Sequence, residues 1–280
     1  MPLFGGYQVT IDPTLAFWCE RWDLIPDGAA FSTPYTRSLL MPVRQANRAA
    51  MLKVAGGPDE DRGAKLMAWW RGEGAAEVLR YETPALLLER AADAEALSRL
   101  AFEGSDDAAT AVLCATIAEL HRPRERAPLA ELAPLTQWFL ALRQAATQGG
   151  LFAQAWALAE PLLVSAQDIV SLHGDVTHGN VLDFGEAGWL AIDPKGLIGE
   201  RGYDYANLFR GPTLSVVTPD RFRRQLDLTA RLSGLDRARL HRWVISHGAL
   251  SAAWTAAEGA SAARSLDFVD LALAQLDLRA

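Results

Sequence analysis

Two histidines, two aspartates and an asparagine lie in one short run, SLHGDVTHGNVLDF, at residues 171–184. Asn180 follows Asp175 by five positions, and Asp193 ends the next apolar run. Phosphoryl transfer needs a base that accepts or orients the proton of the acceptor hydroxyl, together with a carboxylate and an amide that hold Mg²⁺ at the phosphates. This spacing supplies all three groups and therefore predicts phosphotransferase chemistry.

A lysine in the first third of the sequence is the second chemical signal. Lys53 stands in the apolar run AMLKV, and the chain has only two other lysines, Lys65 and Lys195. Kinases place such a lysine on a strand, where a carboxylate from the following helix holds the ammonium over the α- and β-phosphates of ATP. We favour Glu60 as that carboxylate, although Asp59 and Asp61 flank it and the sequence does not fix the helical register.

The elements that must position these residues change character along the chain. Up to about residue 90 the apolar runs are short and broken by Gly, Pro and Asn, which predicts a small antiparallel sheet with one helix at 59–70. The run 85–91 is predicted to be an edge strand that leads out of this lobe. From residue 93 the period becomes helical, with only two short strands, 181–184 and 189–193, joined by a hairpin turn. We therefore expect lobes at 1–91 and 92–280.

Composition excludes several classes of protein. The formal net charge of −7 argues against a nucleic-acid partner and permits a cationic small molecule. No run approaches the ~18 apolar residues of a membrane span, and no secretory leader is evident, so we expect a cytoplasmic protein without membrane contact. Cys19 and Cys114 are far apart in apolar surroundings, which predicts buried free thiols.

Several motifs together resemble one kinase family. LHGDVTHGNVLDF, WLAIDPKGLIGERGYDYANLF, AMLKV, MAWW and LLLERA are similar to the aminoglycoside phosphotransferases, and most closely to the branch of streptomycin 6-kinases and hydroxyurea phosphotransferases. The resemblance implies an α+β, protein-kinase-like fold with a small β lobe and a larger helical lobe, and the use of ATP and Mg²⁺. It makes Asp175 the catalytic residue, Asn180 and Asp193 the metal ligands, Lys53 the phosphate anchor, Asp204 a structural acid, and Glu89 and Ala91 the backbone contacts for adenine at the hinge.

The sequence departs from protein kinases before Lys53, where it has no G-x-G-x-x-G. The turn FSTPYT lies there instead, so backbone amides and the hydroxyls of Ser32 and Thr33 are the candidate phosphate contacts. His173 is expected to brace the loop, because Asp175 already fills the position of the base. His178 is expected either to contact substrate or to face solvent.

The role of Lys195 stays open among three possibilities. It could reach the γ-phosphate, pair with Glu200, or point to solvent. The motifs predict an ATP-dependent O-phosphotransferase, which we expect to act as a monomer or weak dimer. The resemblance implies an acceptor such as streptomycin, and the net charge of −7 permits a cationic one. The alternatives are a kinase of an endogenous hydroxyl metabolite or of hydroxyurea, and a catalytically silent nucleotide-binding module.

Overall fold

The computed structural model describes residues 12–32 and 38–276, except for the side chains of residues 58 and 59. The chain forms two compact units, the first comprising Met1–Asp61 and Glu77–Arg90 and the second comprising Arg62–Ala76 and Ala91–Ala280. Residues 62–76 therefore group with the second unit, although they precede the end of the first.

The described residues form the following helices: α1 (Pro13–Trp22), α2 (Pro58–Trp70), α3 (Ala96–Phe102), α4 (Asp106–Leu120), α5 (Leu135–Trp138), α6 (Leu140–Ala146), α7 (Gly150–Val164), α8 (Gly202–Ala206), α9 (Pro219–Ser233), α10 (Arg237–Ala257) and α11 (Ala263–Ala274). The strands are β1 (Leu24–Pro26), β2 (Phe31–Ser32), β3 (Leu39–Gln45), β4 (Arg48–Val54), β5 (Val78–Glu82), β6 (Ala85–Glu89), β7 (Ala133–Pro134), β8 (Ile169–Leu172), β9 (Val181–Asp183), β10 (Trp189–Ala191) and β11 (Leu197–Glu200). None of these helices is long and apolar enough to span a membrane.

The first unit is an antiparallel sheet in the order β1-β3-β4-β6-β5, with β2 paired to β3. Along β4, Ala50, Leu52 and Val54 are buried in the main core cluster of this unit, and Met51 and Lys53 alternate with them. Because successive side chains of a strand point to opposite faces, this register turns Lys53 away from that core.

Two expectations for the first unit were wrong. The predicted sheet with one helix at 59–70 missed α1, which begins with the Asp12 carboxylate accepting the amide of Thr14 at 2.8 Å and has Pro13 at its first position. Asp-Pro at a helix start is a recognisable signal, because the acid caps free amides and proline has no amide to cap. The run 85–91 is also not an edge: β6 lies between β4 and β5, and four of its five residues are buried. An unbroken apolar run of this kind suits a strand that is covered on both faces.

The second unit is mainly helical, and α10 forms its centre with twelve buried residues. The predicted hairpin is confirmed, since β9 and β10 pair antiparallel with Asp183 opposite Trp189. The expectation that these were the only strands of this half was wrong, because β7, β11 and β8 form a further small sheet with β11 in the middle. β7 has two residues and β11 has four, which is too short for a pattern of period two to be recognised.

Candidate active site

The first unit contains an ion pair between a strand and a helix. Lys53 Nζ lies 2.9 Å from Glu60 Oε2, and their side chains are only 14% and 11% exposed. The buried Ser38 hydroxyl donates a hydrogen bond to the same Glu60 oxygen and accepts the amide of Gly56 at 3.3 Å. A lysine held this way has a fixed direction at low solvent exposure, as a phosphate anchor requires.

The neighbouring acids of α2 differ from Glu60. The carboxylate of Asp61 accepts hydrogen bonds from the Tyr81 hydroxyl at 2.5 Å and the Thr83 hydroxyl at 2.6 Å. The side chain of Asp59 lies outside the described part of the chain. Glu60, the acid that we favour from the sequence, pairs with Lys53.

Two of the other nucleotide-contact candidates, Ser32 and Glu89, lie at the ends of strands. Ser32 is an exposed residue at the end of β2 and pairs with Leu39, whereas Thr33 lies outside the described residues. Glu89 ends β6, and its carboxylate accepts the amide of Glu77 at 2.7 Å. The first unit ends at Arg90, and Ala91 belongs to the second unit.

A buried aspartate fixes the start of the catalytic loop, by which we mean residues 173–180. Asp204 is 1% exposed and accepts the amides of His173 at 2.9 Å and Gly174 at 2.7 Å. His121 Nε2 lies 2.8 Å from the same carboxylate. Burial would raise the pKa of Asp204, but the hydrogen bond from His121 and the other donors outweigh it, so the pKa is lowered and the acid stays ionised.

His173 has a single protonation state that is set by its partners. Its Nδ1 lies 3.2 Å from the Asp175 amide, which can only donate, and its Nε2 lies 2.8 Å from the Ile192 carbonyl, which can only accept. The ring is fully buried and stacks on Trp70, and burial lowers its pKa. His173 is thus a neutral imidazole that links the loop to the chain after β10.

Three side chains contact the two oxygens of the Asp175 carboxylate. Asn207 Nδ2 donates to Oδ1 at 3.0 Å, and Asn180 Nδ2 donates to Oδ2 at 3.2 Å. Lys195 Nζ lies 3.4 Å from Oδ2. Asn180 Nδ2 also donates to the backbone carbonyl of Asp175 at 2.8 Å, so the five-residue spacing closes a compact loop. The carboxylate is therefore oriented from both sides while its side chain stays 34% exposed.

Asp193 and Lys195 complete this cluster. Asp193 follows β10 with a φ of 61°, in the left-handed region that non-glycine residues rarely adopt. Lys195 Nζ lies 3.8 Å from Asp193 Oδ2. The possible Lys195–Glu200 pair is wrong, because the Glu200 carboxylate is 2% exposed and accepts hydrogen bonds from Arg239 at 2.6 Å and Trp243 at 2.7 Å.

Two glycines permit close approach around the cluster. A Cβ on Gly174, which has a φ of 85°, would lie 2.7 Å from a methyl carbon of Leu197. A Cβ on Gly63 in α2 would lie 2.0 Å from the carbonyl oxygen of Pro194. Any larger residue at either position would push the segment 193–197 away from its present place.

His178 is buried and does not face solvent, so that one of its two expected roles is wrong. It is 3% exposed, neither ring nitrogen has a hydrogen-bond partner, and burial lowers its pKa to about 4. A Cβ on Gly211 would lie 2.3 Å from its Nδ1. The ring is thus packed directly against the backbone at Gly211.

The side-chain oxygens of Asn180 and Asp193 are suitable ligands for a magnesium ion. The Asn180 amide nitrogen is turned to Asp175, which leaves its oxygen as an acceptor, and Asp193 adds a half-buried carboxylate. Among the described residues no group of three or more His, Cys, Asp or Glu side chains could hold a metal. Mg²⁺ bound with a nucleotide needs no such cage, because phosphates and water fill most of its positions.

Several contributors were not predicted from the sequence. Asn207 orients Asp175, His121 supports Asp204, and Ser38 supports Glu60. Only Asn207 carries a recognisable signal, since it stands three residues after Asp204 and such residues lie on the same side of a helical turn.

The fold matches known kinases. A thermostable mutant of an aminoglycoside phosphotransferase, in a ternary complex with ADP and hygromycin B, superposes with a TM-score of 0.62 at 16% identity, covering 91% of this chain and 97% of that one. The choline kinase LicA from Streptococcus pneumoniae gives 0.61 at 12% identity, covering 94% and 100%. The expected protein-kinase-like α+β fold is confirmed.

Sequence comparison identifies the family. Residues 21–259 match the model of the aminoglycoside/hydroxyurea antibiotic resistance kinases. A streptomycin 3''-kinase from Klebsiella pneumoniae is 45% identical over 86% of this chain and 91% of its own length. A streptomycin 6-kinase from Streptomyces glaucescens is 32% identical over 91% and 85%, and a hydroxyurea phosphotransferase from Kitasatospora aureofaciens is 31% identical over 88% and 73%. The chain belongs to this kinase family, as its motifs predicted.

Proposed function

We propose that this protein transfers the γ-phosphoryl group of ATP to a hydroxyl of streptomycin, at the 3'' position. The observation that carries the proposal is the Asp175–Asn180–Asp193 arrangement in a chain that is 45% identical to a streptomycin 3''-kinase. Identity to the streptomycin 6-kinase is 32%, which favours the 3'' position over the 6 position.

The residues of the second unit have distinct roles in this proposal. Asp175 orients the acceptor hydroxyl and accepts its proton, and the amides of Asn180 and Asn207 keep the carboxylate aimed. Asn180 and Asp193 would hold Mg²⁺, which neutralises charge on the β- and γ-phosphates when it is bound. In a loose transition state the nucleophile needs orientation more than early deprotonation, and a carboxylate fixed from both sides suits that requirement.

The nucleotide contacts proposed for the first unit follow the same scheme. Lys53, held by Glu60, contacts the α- and β-phosphates of ATP. Backbone groups of Glu89 and Ala91 contact adenine, and Ser32 and Thr33 contact the phosphates. The kinase names of the relatives and the ADP bound in the structural neighbour support the use of ATP.

A cationic acceptor is consistent with the acidity of the chain. Streptomycin carries guanidinium groups, which pair with carboxylates in a planar, bidentate geometry, and the net charge of −7 attracts cations at low salt. We further propose action in the cytoplasm, as a monomer or weak dimer, with neither nucleic acid nor membrane as a partner.

Hydroxyurea is the second candidate acceptor, because a relative at 31% identity carries that activity in its name. An endogenous metabolite kinase and a silent nucleotide-binding module are the remaining alternatives. The silent module is disfavoured because Lys53, Asp175, Asn180 and Asp193 are all retained.

An acceptor panel tests the proposal. ADP release would be measured with streptomycin, kanamycin, hydroxyurea and simple amino alcohols, and the product would be located by phosphorus–proton correlation NMR. We expect streptomycin to give the highest kcat/KM, with phosphate on the 3'' oxygen. Phosphate on the 6 oxygen would correct the position alone, whereas faster turnover of another acceptor would overturn the substrate.

A further inference from the structure

Lys195 places a positive charge between the proposed base and the proposed metal carboxylate. Its ammonium lies 3.4 Å from Asp175 Oδ2 and 3.8 Å from Asp193 Oδ2, and its side chain is 28% exposed. In the proposed function one of these carboxylates serves the acceptor hydroxyl and the other serves the nucleotide phosphates. The group that moves from nucleotide to acceptor must pass between those two points.

The backbone of Lys195 is fixed on both sides. Its amide donates to the His173 carbonyl at 2.6 Å, and its carbonyl accepts Arg62 Nε at 3.1 Å. A Cβ on Gly174 would lie only 3.1 Å from the Cβ of Lys195, so the loop and the lysine are in tight contact. The ammonium therefore moves only by rotation of its own side chain, from an anchor that is fixed to the catalytic loop.

The contact distances show that Lys195 is not bound tightly to either carboxylate. Charge-assisted N–H···O bonds are about 2.7–2.9 Å long, and Arg239 reaches Glu200 at such distances in the same unit. At 3.4 and 3.8 Å the ammonium lies between the two anions and beyond that range from both. Asp175 does not depend on it for orientation, because Asn180 and Asn207 already donate to its two oxygens.

We propose that Lys195 is a catalytic residue that contacts the phosphoryl group during transfer. This proposal rests on the proposed function. The acceptor oxygen forms a bond to the γ-phosphorus, the bond from that phosphorus to the β–γ bridging oxygen breaks with its electron pair going to ADP, and the hydroxyl proton passes to Asp175 and then to water. Lys195 remains an ammonium throughout and balances the charge on the equatorial oxygens.

Lys195→Met tests the proposal, and Lys65→Met is the matched control because it removes a lysine that pairs with Glu131 at 3.8 Å in the same unit. We expect Lys195→Met to lower kcat about 100-fold or more with the KM for the acceptor changed less than about threefold, since a lost charge donor in a transition state costs about that much. Lys65→Met should match the wild type. A Lys195→Met enzyme with wild-type kcat would overturn the proposal.

A binding measurement separates phosphate contact from other effects. Calorimetric titration with ATP and with ADP in EDTA compares affinities without metal and without turnover. If Lys195 contacts the γ-phosphoryl group, Lys195→Met should reduce the ratio of ATP to ADP affinity by about tenfold, the effect of one charged hydrogen bond. An unchanged ratio would show that the lysine acts on the carboxylates alone and would contradict the proposal.

Restoring the ammonium chemically guards against misfolding of the variant. In Lys195→Cys the thiolate sulfur displaces bromide from 2-bromoethylamine and regenerates a lysine-length ammonium. The two native thiols are poor competitors, because both are buried and burial raises the pKa of Cys19 and raises that of Cys114 to about 12. Alkylation should raise kcat at least tenfold in the variant and leave the treated wild type unchanged.

The outcomes distinguish the two levels of the proposal. If the wild type neither transfers phosphate nor binds nucleotide, the proposed function itself is wrong. Wild-type transfer together with an alkylated Lys195→Cys protein that is fully modified by mass spectrometry, but does not recover, would remove only the role of Lys195.

Discussion

The two units hold their functional charges in different ways. In the first unit Lys53 and Glu60 are themselves nearly buried, at 14% and 11% exposure, and one ion pair provides both the packing and the charge. In the second unit Asp175, Asp193 and Lys195 are 28–34% exposed, and a fully buried layer of His173 and Asp204 lies behind them. The second arrangement separates groups available for chemistry from groups that maintain the fold.

This separation predicts the largest effect for the most exposed member of the second cluster. Asp175→Asn should lower kcat about 10³-fold, because general-base and orienting functions contribute on that scale. Its melting temperature should stay within about 2 °C of the wild type, since the buried layer is intact. The exposed Asp227, which pairs with Arg237, offers the matched Asp227→Asn control with full activity. If Asp175→Asn kept more than a tenth of the wild-type turnover, Asp175 would not be the residue that orients the acceptor hydroxyl and accepts its proton.

The buried layer should show the reverse pattern. Asp204→Asn places an amide nitrogen where the carboxylate accepts two backbone amides and His121. Loss of one partner of a buried charged network typically costs about 3–5 kcal/mol, and for a chain of this size 1 kcal/mol shifts the melting temperature by roughly 2–4 °C. We expect a fall of at least 6 °C in a thermal melt, with activity lost as well. An inactive variant with unchanged melting would show that Asp204 acts in chemistry and not in support.

Between pH 7 and pH 5, acid should destabilise the second unit more than the first, because the first 120 residues contain no histidine. Burial lowers the pKa of His247 to about 3, so the folded state keeps it neutral while the unfolded state takes up a proton near pH 6.5. The contribution of the neutral His247 to stability is therefore fully present above pH 6.5, and it is lost as the pH falls from there toward 3. For one such histidine the loss between pH 7 and pH 5 is about 2 kcal/mol.

His247→Gln tests the sign and size of this effect. Urea denaturation at pH 7 and at pH 5 should show that the variant loses about 2 kcal/mol less than the wild type over this range. Hydrogen exchange at pH 5 should rise in α10 before it rises in the β3–β4 ladder. Equal pH sensitivity of both proteins would contradict the assignment to His247.

Removing the ion pair of the first unit should lower both the affinity for ATP and the melting temperature, each by a modest amount. Lys53→Met leaves the Glu60 carboxylate with its Ser38 donor and without its cation. We expect the dissociation constant for ATP to rise about tenfold, which corresponds to one charged hydrogen bond, together with a fall in melting temperature of a few degrees. Lys65→Met is again the control. Unchanged ATP affinity would show that Lys53 does not contact the phosphates.

The same contrast explains what the sequence could and could not predict. Asp175, Asn180 and Asp193 come together within 19 positions, so their spacing alone carries the site. The sequence does not separate Glu60 from the flanking Asp59 and Asp61, because a shift of one residue turns a helical side chain by 100° and the sequence does not fix that register. Partners that lie far apart along the chain could not be predicted from the sequence. His121 contacts Asp204, 83 positions away, because α4 packs against α8.

Asn207 gives the smallest predicted effect and the finest test of the comparison. Asn207 belongs to neither layer completely, since the residue is 6% exposed but its side-chain amide donates to the partly exposed Asp175 at 3.0 Å. If its role is to aim that carboxylate, Asn207→Ala should lower kcat about fivefold to tenfold, equivalent to one neutral-to-charged hydrogen bond, with ATP affinity unchanged. Asn207→Asp should be worse, because it places a second carboxylate against Asp175. Equal loss in both variants would show that packing at position 207, and not the direction of its hydrogen bond, is what the catalytic loop requires.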